Sequence, residues 1–106
     1  MTEKIIVLSN TGSLAEARKI AHALIDGKLA ACVNIVPGVE SIYWWQHKVE
    51  AAAEWMIVVK TLRSKFDAVQ ETIRALHSYD LPECITLAIE GGLPEYLQWI
   101  RDSIES

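Results

Sequence analysis

The sequence has little cysteine and no long apolar run. Its two cysteines, Cys32 and Cys84, are too few for a disulfide framework, so we expect free thiols. No stretch approaches the ~20 consecutive apolar residues of a membrane-spanning helix. The segment Met1–Lys4 precedes only a short apolar run, unlike a signal peptide. We therefore expect a cytoplasmic protein with no membrane partner.

Positive charge is also scarce. Ten Lys and Arg residues stand against 14 Asp and Glu residues, the net charge is -4, and the basic residues form no cluster. A protein that binds nucleic acid needs a clustered basic surface to neutralise phosphates. The composition therefore predicts no nucleic-acid partner.

Sequence motifs of catalysis are missing. There is no nucleophile elbow, Walker loop or dinucleotide fingerprint. The glycine-containing turn at residues 10–13 is explained as a helix cap, although the backbone amides at a helix start also favour an anion. An acylphosphatase-like hydrolase would need an Arg in the first loop, and residues 9–13 contain none. We expect a protein that is not an enzyme.

What the sequence does have is a concentration of aromatic residues. The stretch Ala31–Trp45 ends in Tyr43, Trp44 and Trp45. Successive side chains of a strand point to opposite faces of a sheet, so these rings load both faces. Neither face can then be left to water, and one of them needs further protein to cover it.

Hydrophobic periodicity predicts seven elements in a single domain, residues 1–106. A capping box of Ser13 and Glu16 begins the first helix, and Ser64 or Thr61 could cap the second. Pro37 and Gly38 indicate a bulge or bend within one long strand. The predicted strands are Lys4–Leu8, Leu29–His47, Trp55–Thr61 and Cys84–Glu90, with a turn at residues 48–54 and helices from Ser13 to Gly27, from Arg63 to His77 and from Pro94 onwards.

The predicted order is β-α-β-β-α-β followed by a C-terminal helix. This is the split βαβ pattern of ferredoxin-like α+β domains, an antiparallel sheet with two helices on one face. The second face would be bare, although Tyr43, Trp44, Trp45 and Trp55 load the hairpin on both sides. Closed cyclic association of identical subunits would bury that face and protect the strand edges.

Five segments taken together resemble one known family. The segments are Ala30–Ile35 with Pro37-Gly38, Ser41–Gln46, Ile57–Thr61, His77–Glu83 and Tyr96–Ile100. In order and spacing they are similar to the CutA family of divalent-cation tolerance proteins, and the match covers nearly the whole chain. The resemblance implies a homotrimer of ferredoxin-like subunits, related in architecture to PII signalling proteins and linked to copper and divalent-ion tolerance.

The sequence departs from the family pattern at a few positions. His47 stands where relatives usually have Gly, and Ser78 and Asp80 replace a Pro and a Glu. Ala51–Ala53 occupies a stretch where relatives tend to place acidic residues. Ser9 stands where some relatives have a Cys, so a thiol-rich copper site of three ligands would be incomplete.

Three residues are candidates for holding copper or another divalent cation, although no cofactor is expected to be required. Thiolate and imidazole ligands suit copper and zinc, and the candidates are Cys32, His77 and Cys84. No C-x-x-C or H-x-x-x-H pair is present, so weak binding is expected, and all three residues could instead be plain core or interface residues. His22 and His47 are expected to be solvated side chains.

The PII relationship implies a second kind of site, a cleft between subunits. Its candidate residues are Lys60, His77, Tyr79 and Glu83, which would take a small anionic ligand or a partner protein; structural charge pairing is the alternative. Two hypotheses therefore stand: a trimer that binds metal ions weakly, and a PII-like scaffold with ligand clefts.

Overall fold

The computed structural model describes residues 3–105, and its core is one four-stranded antiparallel sheet with strand order β2-β3-β1-β4. The predicted α+β class and element order are confirmed. The strands are β1 (Lys4–Thr11), β2 (Cys32–Trp45), β3 (Lys48–Leu62) and β4 (Ile85–Ala88), and the helices are α1 (Leu14–Asp26), α2 (Phe66–Leu76) and α3 (Pro94–Glu105), with a short 3-10 turn at Arg63–Lys65.

The main hydrophobic core lies between one face of the sheet and helices α1 and α2. Alternate residues of β1 and β3 point into it, as the two-residue period of a strand requires. The buried residues of this core are Ile5, Val7, Ala17, Ile20, Leu24, Ala30, Ile57, Val59, Val69 and Ile73. Helix α3 packs separately, through Ile100 and Ile104 against Leu62.

Helix α1 begins and ends where the sequence predicts. The side chain of Ser13 accepts a hydrogen bond from the backbone N–H of Glu16, which is half of a capping box. The carboxylate of Glu16 is directed elsewhere, because it accepts from the backbone N–H of Ser78 at 2.8 Å. It thereby ties the start of α1 to the loop that follows α2.

The β2–β3 hairpin is longer and more regular than predicted. The predicted turn at residues 48–54 is wrong: the turn consists of Gln46 and His47, both with positive φ, and β3 starts at Lys48. Two consecutive positive φ values between paired residues define a type I′ turn. The predicted irregularity at residues 37–38 is confirmed as a bulge that places one extra residue in β2.

The start of α2 also differs from the prediction. Neither Ser64 nor Thr61 caps it; the helix follows the 3-10 turn, and its N-cap residue Lys65 makes no side-chain cap hydrogen bond. The hydroxyl of Thr61 instead donates to the carbonyl of Leu29 at 2.6 Å. Among residues 3–105, none of the helices combines the length and apolar character that crossing a bilayer needs.

Candidate functional site

A cavity of about 740 Å³ lies between the β2–β3 hairpin and the loop that follows α2. We call it the arm cavity. The hairpin supplies one wall and the loop supplies the other. Its lining residues are Asn10, Ser41, Ile42, Tyr43, Trp44, Trp45, Glu54, Ser78, Tyr79, Asp80, Leu81 and Glu83.

The register of the hairpin decides which side chains share a face with Glu54. Val39 pairs with Glu54 and Ser41 with Ala52, so Ser41, Tyr43 and Trp45 lie on the face of Glu54. Ile42 and Trp44 alternate with them along β2; both also line the cavity, and they are 67% and 74% exposed. The structure thus places rings on both faces of the hairpin, as the alternation of the sequence predicts.

His77 anchors the loop that forms the other wall. Its side chain is fully buried; Nε2 lies 2.6 Å from the carbonyl oxygen of Asn10, and Nδ1 accepts from the backbone N–H of Tyr79 at 3.1 Å. Because a carbonyl can only accept, the ring carries its proton on Nε2. Both ring nitrogens are therefore used within the chain, and His77 is not part of the cavity lining.

Tyr79 and Glu54 join the two walls. The Tyr79 hydroxyl donates to Oε2 of Glu54 at 2.8 Å, and Glu54 is only 7% exposed. Burial, followed by the hydrogen bond to Glu54 and its charge, raises the pKa of Tyr79 to about 12. The phenol therefore stays protonated and keeps donating over the whole neutral range.

The cavity lining is acidic. Burial of the carboxyl, and then the charge of Glu54, raise the pKa of Glu83 above its ordinary value. Asn10 donates from Nδ2 to Oε1 of Glu83 at 3.3 Å, while its buried Oδ1 has no hydrogen-bond partner among the described residues. With Asp80, the lining contains three carboxylates and, within the described chain, no Lys, Arg or His.

The single chain does not bring the three candidate metal ligands together. Cys32 pairs with Lys60 on the edge strand β2, whereas Cys84 adjoins β4 on the opposite edge of the sheet. Cys84 packs against the main core, and burial, followed by the charge of Glu83, raises the pKa of its thiol. Residues 3–105 contain no group of three or more His, Cys, Asp or Glu side chains arranged to hold a metal ion.

Of the four residues predicted for an anion cleft, only two line the cavity. Tyr79 and Glu83 do so, and His77 lies behind them. Lys60 is elsewhere: its ammonium group donates to the Tyr96 hydroxyl at 3.4 Å and lies 5.6 Å from the centre of that ring.

The predicted interface residues divide into two groups. Tyr43, Trp44 and Trp45 are exposed, and among residues 3–105 Trp44 is the most exposed of the large apolar side chains. Trp55 instead packs against the main core, because it lies on the same face of β3 as Ile57. Any interface contact of Trp55 is therefore limited to its partly exposed edge.

Sequence reasoning missed Asn10, Glu54 and Asp80 as cavity residues. Asn10 and Glu83 are 73 positions apart and meet only because β1 lies beside β4. Glu54 gives one usable signal, since it is an acidic residue at the edge of the apolar stretch that begins at Trp55. An acidic side chain inside a strand is uncommon, and if it is buried it needs a hydrogen-bond partner.

Comparison with known proteins identifies one family. A family model described as "CutA1 divalent ion tolerance protein" matches residues 5–103. The "Divalent-cation tolerance protein CutA" of Archaeoglobus fulgidus is 47% identical over 93 residues, which cover 88% of this chain and 90% of the relative. "Protein CutA 1, chloroplastic" of Oryza sativa is 46% identical over 99 residues, covering 93% of this chain. The chain spans about half the length of the plant relatives it matches, 56% of the rice protein and 54% of that from Arabidopsis thaliana.

Solved structures agree with this comparison. The crystal structure of CutA from Xylella fastidiosa has a TM-score of 0.94 and 38% identity, with coverage of 97% of this chain and 99% of the other. That of CutA1 from Oryza sativa has a TM-score of 0.92 and 44% identity, with coverage of 96% and 94%.

Proposed function

Because this chain belongs to the CutA1 divalent ion tolerance family, we propose that it is a homotrimeric, non-enzymatic protein of divalent-ion tolerance that binds copper or other divalent ions weakly. The observation that carries the proposal is the exposed aromatic arm. A cytoplasmic location is part of the proposal and rests on the sequence alone.

Self-association follows from apolar surface that one chain leaves in water. On the outer face of the arm, Ile42, Trp44 and Val49 are 67%, 74% and 59% exposed. Trp44 pairs directly with Val49, so the three form one continuous patch. Ile85 and Leu87 on β4 add apolar surface on the face of the sheet opposite α1 and α2. Apolar patches of this kind are typical of protein–protein contacts.

The sheet also has two open edges, and this favours a closed ring. Strands β2 and β4 are the outer strands, and their free backbone groups can pair with another chain. When one edge of each subunit pairs with the other edge of the next, the subunits form a closed ring only if the rotation from one subunit to the next adds up to a full turn. Three subunits is the number that the family resemblance implies.

Weak rather than tight metal binding follows from the placement of the donor groups. His77 has no free ring nitrogen. The raised pKa of Cys84 disfavours the thiolate that binds metal. Cys32 lies on an edge strand and its thiol has only a long contact of 3.8 Å to Asn34. We therefore assign most of the copper affinity to Cys32.

A small anionic ligand is the less favoured function. Within the described chain, the arm cavity has acidic groups and no basic ones, so its electrostatic potential repels anions. For the cleft to attract an anion, Lys60 of a second subunit would have to make the electrostatic potential of the cavity positive.

Native mass and copper titration test the proposal. We expect a particle of three times the 11.9 kDa chain mass. In calorimetric titration with Cu(II), Cys32→Ser should lower the affinity, whereas Cys84→Ser should leave it nearly unchanged. A monomeric mass at micromolar concentration would overturn the assembly. Equal copper affinity in wild type, Cys32→Ser and His77→Ala would remove the metal site as assigned.

A further inference from the structure

The charged side chains of the arm cavity are all carboxylates, from Glu54, Asp80 and Glu83. The lining also has hydroxyl and indole donors, but among the described residues it has no cationic side chain. The Tyr79 hydroxyl is already bound to Glu54. An occupant that neutralises these carboxylates must therefore bring N–H donors and positive charge.

The remaining walls are aromatic and apolar. Tyr43 and Trp45 share the face of Glu54 and stand beside the carboxylates. Aromatic faces attract organic cations, and they also cover methylene groups. The cavity volume of about 740 Å³ is of the size that holds small organic ligands.

From this combination we propose that the arm cavity binds a linear organic polyamine. Ammonium groups of the ligand lie at Glu83, Asp80 and Glu54, and the methylene segments between them lie against Tyr43 and Trp45. A polyamine combines positive groups with an apolar chain, and the lining combines carboxylates with rings. The proposal is independent of the copper assignment to Cys32.

A bare metal ion fits this cavity less well. Among residues 3–105 no three acidic, thiol or imidazole groups converge on one point. The lining also carries apolar surface. A divalent ion would leave the rings and Leu81 without a partner, whereas a polyamine contacts both kinds of surface.

The test is a titration of the native full-length protein with spermidine, followed by tryptophan fluorescence and calorimetry. Glu83→Gln keeps the size of the side chain and its bond from Asn10 but removes the charge. The matched control is Glu50→Gln, which removes a charge from an exposed position of the same arm outside the cavity lining. Because the variant loses the charge that strengthens a hydrogen bond from an ammonium group, we expect Glu83→Gln to bind spermidine at least about tenfold more weakly.

Glu50→Gln should bind spermidine within about twofold of wild type, and an equal concentration of Mg²⁺ should not displace the polyamine. Three results would overturn the proposal: no binding at millimolar spermidine, equal weakening in both variants, or full displacement by Mg²⁺. The native mass of Glu83→Gln is measured alongside. Unchanged mass with lost binding separates this site from the proposed assembly, and unchanged mass with unchanged binding refutes the site alone.

Discussion

The His77 side chain has a structural role, because both of its ring nitrogens are hydrogen-bonded within the chain. Its buried ring links the end of β1, through the carbonyl of Asn10, to the backbone of Tyr79 in the loop after α2. The backbone N–H of Ser78, the residue between them, is bound by Glu16 of α1. Three consecutive residues thus tie one loop to two separate elements. This arrangement fixes the position of Tyr79, and with it one wall of the arm cavity.

Tyr79 gives the protein a defined response to alkaline pH. Burial and then Glu54 raise its pKa from 10.0 to about 12 in the folded chain, so the folded state keeps a proton that the unfolded state loses. The resulting stability is present below pH 10 and is lost as the pH rises towards about 12. Tyr79→Phe should lack this part of the pH dependence. Denaturant unfolding of both proteins across that range measures it, and parallel stability curves would contradict the assignment.

The arm is the element whose geometry matters most for function. Its turn places Gln46 and His47 at φ values of 49° and 67°, a conformation that costs a residue with a side chain roughly 1 kcal/mol or more. Glycine adopts it freely. His47, at the position where the family resemblance implies Gly, is therefore strained.

His47→Gly should raise the free energy of unfolding by about 0.5 to 1 kcal/mol per chain, because relief of this strain exceeds the added entropy of the unfolded glycine. His22→Gly is the matched control. His22 lies inside α1, where glycine costs about 1 kcal/mol. Chemical denaturation at one fixed protein concentration compares the three proteins. A loss of stability in His47→Gly would refute the interpretation.

Local patterns in the sequence predict the elements, and long-range pairing decides the rest. The Ser13 cap, the end of α1 near Gly27 and the bulge at residues 37–38 depend on neighbours in the chain and are predicted correctly. The predicted turn at residues 48–54, which includes Ala51–Ala53, is wrong. In the structure these alanines pair with Glu40, Ser41 and Ile42. Such cross-strand partners are invisible to a window of local sequence.

The candidate site was less predictable for the same reason. Tyr79 and Glu83 were predicted as cleft residues, and they do line one cavity. Lys60 was placed with them by family resemblance, whereas the chain holds it against Tyr96 of α3. Which charges meet in a cavity depends on strand order, and the sequence alone does not fix the contacts between subunits.

For the molecule as a whole, the outer face of the arm is the exposed apolar surface that we expect self-association to bury. Burying an exposed Trp contributes about 3 kcal/mol per subunit. Trp44→Glu should therefore weaken self-association by about 100-fold and lower the native mass at micromolar concentration. The fold should survive, because Trp44 is 74% exposed and lies outside both core clusters.

Ile25→Glu serves as the control for this prediction. Ile25 is an exposed apolar residue of α1, away from the arm, and its replacement should leave the native mass unchanged. Circular dichroism confirms that both variants are folded. If Trp44→Glu kept the wild-type mass, the outer face of the arm would not be the contact between subunits.

The bulge in β2 shifts the alternation of one half of the strand relative to the other. Val33 and Ile35 face the core beside Val59 and Ile57, whereas Tyr43 and Trp45 share the cavity face of Glu54. Without an extra residue, strict alternation would put these four odd-numbered positions on one face, which conflicts with this arrangement. Gly38 resolves the conflict with a left-handed φ of 74°, which a β-branched residue strongly disfavours. A substitution such as Gly38→Val would destabilise the bulge. The core residues and the cavity residues of β2 could then no longer both point to their proper faces.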